Sequence, residues 1–220
     1  MSTSLVGAPV GEVLEQLLAD AARTQAEFRS GRPPRPEGNQ QRPDRDEREF
    51  FTTAAKNVHL AVSRQTGTLL YTLARTRRAQ TVVEFGTSFG VSLIYLAAAV
   101  KDNGGGIVIG TEYEPGKVVG AQRAVDAAGL SDQVEIREGD AVETLKSNLP
   151  ESVDLLFLDG AKGMYCEILS LLSPRLAPGA IVVADNASRG VGYLDHVRAS
   201  PDYLSTGFAE ADVEISLLVR

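Results

Sequence analysis

Two stretches concentrate residues able to do chemistry. "DLLFLDGAKGMY" (154–165) begins as an apolar run, then sets Asp159 and Lys162 just past its last hydrophobic residue. Further on, "AIVVADN" (180–186) ends on Asp185 and Asn186. Glu84 in "TVVEF" and Glu112 in "GIVIGTE" close runs of the same kind, and Asp140 follows "QVEIREG". A single acid after a strand is often only a helix N-cap. Five are harder to explain that way, because clustered carboxylates repel unless a cation or a donor compensates.

The elements that must position these residues follow from periodicity. Residues 10–28 carry Val10, Val13, Leu14, Leu17 and Leu18 at amphipathic-helix spacing. Residues 29–44, rich in Pro, Gly, Gln and Arg, read as an irregular segment, either a linker or a lid or dimer arm. "DEREFFTTAAKNVHLA" (46–61) and "RQTGTLLYTLARTR" (64–77) return to a helical pattern. From residue 81 short apolar strands alternate with helices, among them the short helix read at "AVETLKSNL" (141–149): five strands with crossovers, then the close pair "DYLSTGF" and "VEISLLVR". Such alternation predicts an α/β fold with a parallel, doubly wound sheet, and the final pair is expected to be antiparallel. Ligands of such sheets bind outside the carboxyl ends of the strands, where the acids stand.

Composition narrows the function. The chain has 220 residues, 43% hydrophobic, which suits one α/β domain with an N-terminal extension. A net charge of −7 with no basic face argues against nucleic acid. The single Cys166 excludes an internal disulfide framework and any multi-cysteine zinc site, and fits a reducing compartment. The N-terminus meets acidic residues too early for a signal peptide, and the longest apolar run, "VSLIYLAAAV", is too short for a bilayer. The expectation is a soluble cytoplasmic protein with no membrane partner.

The turn after the first strand separates candidate cofactors. "GTSFG" places Gly86 and Gly90 four apart around Ser88, which fails the dinucleotide fingerprint, and "GTEYEPGKV" misses a phosphate-binding loop in both spacing and its Val118. Glu112 at the second strand end suits a ribose diol, whose hydroxyls both donate to it, and Glu84 suits an ammonium. Ribose and ammonium without phosphate describe S-adenosylmethionine.

"VVEFGTSFGVSLIYLA", "GTEYEP", "FLDGAKGMY" and "IVVADN", in this order, resemble the cation-dependent small-molecule O-methyltransferases, the family of catechol and caffeoyl-CoA O-methyltransferases. The resemblance runs from about Asn57 to Arg220. It implies a Rossmann-like class I methyltransferase fold, a seven-stranded sheet of order 3-2-1-4-5-7-6 with strand 7 antiparallel. It divides the chain into an N-terminal helical extension (1–56) and a methyltransferase domain (57–220). Carried over by position, it makes Asp159, Asp185 and Asn186 ligands of a divalent cation, Mg²⁺ foremost, with Mn²⁺ or Ca²⁺ as replacements. Lys162 becomes the catalytic base, acting with Asp159. Glu84, Gly86, Ser88, Gly90 and Ser92 fall on the methionine end of the cofactor, which Asp159 also faces. Glu112 falls on the ribose, and Tyr113, Asp140 and Ala141 near the adenine.

The sequence departs from the family in several places. Ser88 stands where many methyltransferases have glycine, Ala161 replaces the aromatic of the catechol branch, and the chain has no Trp. The reaction implied is methyl transfer to a small hydroxylated acceptor with vicinal oxygens. Its rivals are a metal-independent methyltransferase of the same fold and a non-catalytic cofactor-binding scaffold. A homodimer is expected from the resemblance. His59 and His196 read as ordinary histidines, Cys166 as a small buried hydrophobe and Tyr165 as sheet packing. Arg189 and Tyr193 are candidates to shape the acceptor site.

Overall fold

The computed structural model describes residues 3–31 and 47–220. Most of the irregular stretch read at 29–44 lies outside the described residues. Seven strands form one sheet: β1 (Thr81–Phe85), β2 (Ile107–Glu112), β3 (Val134–Glu138), β4 (Val153–Leu158), β5 (Leu176–Asp185), β6 (Tyr203–Phe208) and β7 (Val213–Leu218). Their order is β3-β2-β1-β4-β5-β7-β6. The first five pair in parallel, and β7 runs antiparallel to both β5 and β6. This is the topology expected from the sequence. The central strands β1 and β4 are buried on both faces, which explains their unbroken apolar runs.

The helices are α1 (Val10–Ser30), α2 (Glu47–Thr52), α3 (Arg64–Arg77), α4 (Val91–Asp102), α5 (Pro115–Ala127), α6 (Ala141–Thr144), α7 (Tyr165–Leu172) and α8 (Tyr193–Ala199). In α4, every residue from Val91 to Val100 is buried, as expected of a helix apolar all round. It lies between the sheet and α3. Gly67 of α3 faces the Tyr95 ring so closely that any side chain there would collide with it. The buried face of α1 (Val10, Leu14, Leu17) joins the same core as α4. Asp102 at the end of α4 anchors the chain start, accepting from Ser4 N at 2.9 Å and from Tyr71 Oη at 2.7 Å. Among the described residues no helix is long and apolar enough to cross a membrane.

Two expected helices are shorter than their patterns. The one read across 46–61 stops as α2 at Thr52, where Ala55 N turns back to Phe50 O. Beyond it, α1 holds the chain extended: His59 N donates to Thr24 Oγ1 at 3.1 Å, and Gln25 Nε2 donates to His59 O at 2.8 Å. The helix read at 141–149 ends at Thr144. There the Arg137 guanidinium takes the carbonyls of Thr144, Ser147 and Asn148 at 2.6–3.0 Å, so they are not available to a longer helix.

Candidate active site

All five parallel strands end at one rim, and a cavity of about 940 Å³ opens there. Of the residues singled out from the sequence, Gly86, Ser88, Glu112, Tyr113, Asp140, Ala141, Asp159, Lys162, Asp185 and Asn186 line it. Glu84, Gly90 and Ser92 do not; they stand behind its wall, and Glu84 and Ser92 are buried there.

At the first strand end the chain turns at Gly86 with φ +96°, and a Cβ there would lie 2.5 Å from Gly160 N. This close approach of two strand-end loops needs glycine. Ser88 has φ +50°, a left-handed conformation that glycine would adopt without strain. Its Oγ is buried without a partner, as is Glu84 Oε1. Thr87 Oγ1 donates to the other Glu84 oxygen at 2.7 Å. Burial pushes the Glu84 carboxyl up to about 7, with the Ser92 and Thr87 hydroxyls acting against it. The orphaned acceptors suit a ligand bringing donors, such as an ammonium.

Glu112 is held in place by two backbone donors, Ser88 N at 2.8 Å to Oε2 and Glu114 N at 2.9 Å to Oε1. One lone pair on each oxygen remains for a diol. Asp140 combines both readings of a strand-end acid, since it caps α6 through Val142 N at 3.0 Å and also lines the cavity.

The opposite end holds the second constellation. Lys162 Nζ lies 2.7 Å from Asp159 Oδ1 and 2.8 Å from Tyr165 Oη. Tyr165 Oη donates to the Asp185 carbonyl at 2.8 Å. Tyr165 thus does more than pack against the sheet. The Asp159 and Asp185 carboxyls are hydrogen-bonded to each other. Burial foremost, then the charge of Asp159, pushes Asp185 up to about 7. Asn186 follows in the left-handed region at φ +48°, which asparagine tolerates better than most residues.

No three His, Cys, Asp or Glu side chains gather as a metal cluster among the described residues. The expected set contains only two, completed by the Asn186 amide. Two carboxylates forced together at the cavity wall with an amide beside them are an all-oxygen donor set, and they fit a hard divalent cation in chemistry.

Several residues differ from their sequence reading. Tyr193 is fully buried edge-on against Tyr165 and does not line the cavity. Cys166 is half-buried, its Sγ 3.6 Å from Val191 O. His196 is exposed on α8, while the His59 ring stacks on Phe89 at 3.7 Å, fastening the N-terminal segment to the glycine turn. Sequence reasoning missed Lys117, 2% exposed in the cavity wall with its Nζ 5.8 Å from the Phe51 ring centre. It also missed the aromatic wall of Phe28, Phe50 and Phe51. No local pattern in those segments announces a cavity.

Residues 83–187 match a family model described as a methyltransferase domain. The chain is 35% identical over 145 residues to a catechol O-methyltransferase of Niastella koreensis, an alignment covering 64% of this chain and 65% of that one. It is 35% identical over 141 residues to the catechol O-methyltransferase of Mycobacterium tuberculosis, covering 64% and 63%. The chain thus spans just under two thirds of the length of these curated relatives. Cofactor-bound Rv0187 from MTB superposes with a TM-score of 0.70 at 25% identity, over 98% of this chain and 94% of that one. Sheet order, strand-end acids and matched sequence agree in making the chain similar to the catechol O-methyltransferases.

Proposed function

We propose that the protein transfers a methyl group from S-adenosylmethionine to a hydroxyl of a small acceptor with vicinal oxygens. The observation carrying this reading is a single cavity that joins Glu112 and the Gly86 turn to Lys162, Asp159 and Asp185. Donor and acceptor sites therefore share one space. The names of the curated relatives point the same way.

Glu112 accepts from the ribose hydroxyls, and the Ser88 hydroxyl at the cavity wall, backed by the buried Glu84 carboxyl, serves the methionine end. The acceptor hydroxyl lies against Lys162, which takes up its proton as the oxygen attacks the methyl carbon. The new bond is O–CH₃, the bond broken is S–CH₃, and the products are the methyl ether and S-adenosylhomocysteine. Holding both reactants in line contributes through lost orientational freedom. Asp159, Asp185 and Asn186 would hold a divalent cation, which when bound favours the ionised acceptor oxygen.

One specific contact favours a second reading, the metal-independent transferase: Lys162 Nζ already occupies Asp159 Oδ1. Calorimetry with S-adenosylhomocysteine, followed by methyl-transfer assays on a catechol panel with Mg²⁺ or with excess EDTA, tests both. Absence of cofactor binding overturns the proposal. Undiminished transfer in EDTA overturns its metal part and selects the second reading.

A further inference from the structure

Arg189 lies on the short turn Ala187–Arg189 that follows Asn186, and its backbone N–H closes that turn onto Asn186 O at 3.0 Å. The turn packs against the one at Lys162–Met164. Arg189 therefore lines the end of the cavity that holds Lys162 and Asp185, together with Met164 and Val191. Six other described arginines, Arg23, Arg64, Arg77, Arg137, Arg198 and Arg220, each meet an acid. The Arg189 guanidinium meets none among the described residues. Acids that border this turn or its end of the cavity have other partners. Asp212 accepts from Ser188 N at 2.9 Å and Ser188 Oγ at 2.7 Å, and Asp159 accepts from Lys162. An acceptor placing vicinal oxygens at Lys162 and its ring between Met164 and Val191 would direct its far substituent to this planar five-donor fork, which matches a carboxylate.

We propose that Arg189 is a specificity-determining residue that selects vicinal dihydroxyarenes bearing a carboxylate on the side away from the reacting oxygens. The inference rests on the proposed methyl transfer. A charge-assisted pair at a partly wet rim gives roughly a tenfold preference. The mouth has room for such a substituent, because Ala161 and Gly163 stand beside Lys162 with minimal side chains.

The test compares 3,4-dihydroxybenzoate, catechol and 3,4-dihydroxyphenethylamine on wild type, Arg189→Met and Arg189→Lys. In wild type, kcat/KM should favour the benzoate over catechol by about tenfold through KM, with the amine last. In Arg189→Met that ratio should fall about tenfold, and Arg189→Lys should restore part of it. Calorimetric binding of the benzoate and of catechol to the S-adenosylhomocysteine complex should move in parallel, a readout that needs no turnover. A wild-type preference for catechol or the amine, or a ratio unchanged in Arg189→Met, overturns the assignment while leaving the methyl-transfer reading intact. Binding of the benzoate that depends on Arg189 without transfer to any acceptor would overturn the reaction and keep the carboxylate site.

Discussion

The Tyr165 hydroxyl accepts a hydrogen bond from Lys162 Nζ at 2.8 Å while donating to the Asp185 carbonyl at the same distance. One buried side chain therefore fixes the amine of β4's loop relative to the end of β5. Tyr165→Phe keeps the ring, which packs against Phe85 and Tyr193, and removes only this tie. We expect kcat to fall by about tenfold, as when one hydrogen bond to a charged group is lost. Affinity for S-adenosylhomocysteine should hold within twofold. Steady-state kinetics and calorimetry on the same preparation check this; a loss confined to thermal stability would make Tyr165 a packing residue only.

Lys162 itself gives a sharper outcome. Lys162→Met retains the buried aliphatic stem and deletes the proposed proton acceptor, so kcat should drop by roughly 10²–10⁴, the usual worth of a positioned general base. Lys162→Arg should not rescue it, because a guanidinium stays protonated and cannot take up the acceptor's proton. An active arginine variant would reassign Lys162 to charge stabilisation.

Gly86→Ala tests the close approach of the β1 and β4 loops. The residue sits at φ +96°, and the new methyl group would meet Gly160 backbone, which has nowhere to move. Combined dihedral strain and overpacking should cost about 3 kcal/mol. Urea unfolding measures it directly. A variant as stable as wild type that still binds cofactor would show that the two loops can part.

These outcomes separate what the sequence discloses from what it hides. Parallel strands buried on both faces must be continuous apolar runs, so β1, β4 and β5 and the acids just past them could be read residue by residue. Gly86 was legible for the same reason, since a tight turn at a strand end demands its backbone freedom. Contacts between distant segments leave no local mark. Nothing in "NVHLA" says that His59 will stack on Phe89, and nothing in "EPGKV" says that Lys117 will be buried beneath Phe51. The length of α6 was also hidden, because the side chain of Arg137, on the preceding strand β3, takes the carbonyls that would have extended it, and no residue pattern announces that contact.

Under the proposed function, Glu84 should make cofactor binding depend on pH. In the ligand-free fold burial raises its carboxyl to about 7 from an ordinary 4.5. Between those values the folded chain holds a proton that the unfolded chain has lost, so this contribution to stability is full below about 4.5 and disappears as pH rises through about 7. A ligand ammonium at the cavity wall in front of this carboxyl inverts the preference, because a nearby positive charge favours the charged carboxylate. Binding S-adenosylhomocysteine at pH 6 should therefore release close to one proton per site, and almost none at pH 8.5. Calorimetry in buffers of different ionisation enthalpy counts the protons. Glu84→Gln should abolish the release and weaken binding about tenfold, the cost of replacing a charge-assisted pair by a neutral one. Proton release that persists in Glu84→Gln would place the titrating group elsewhere and remove Glu84 from the methionine end of the site.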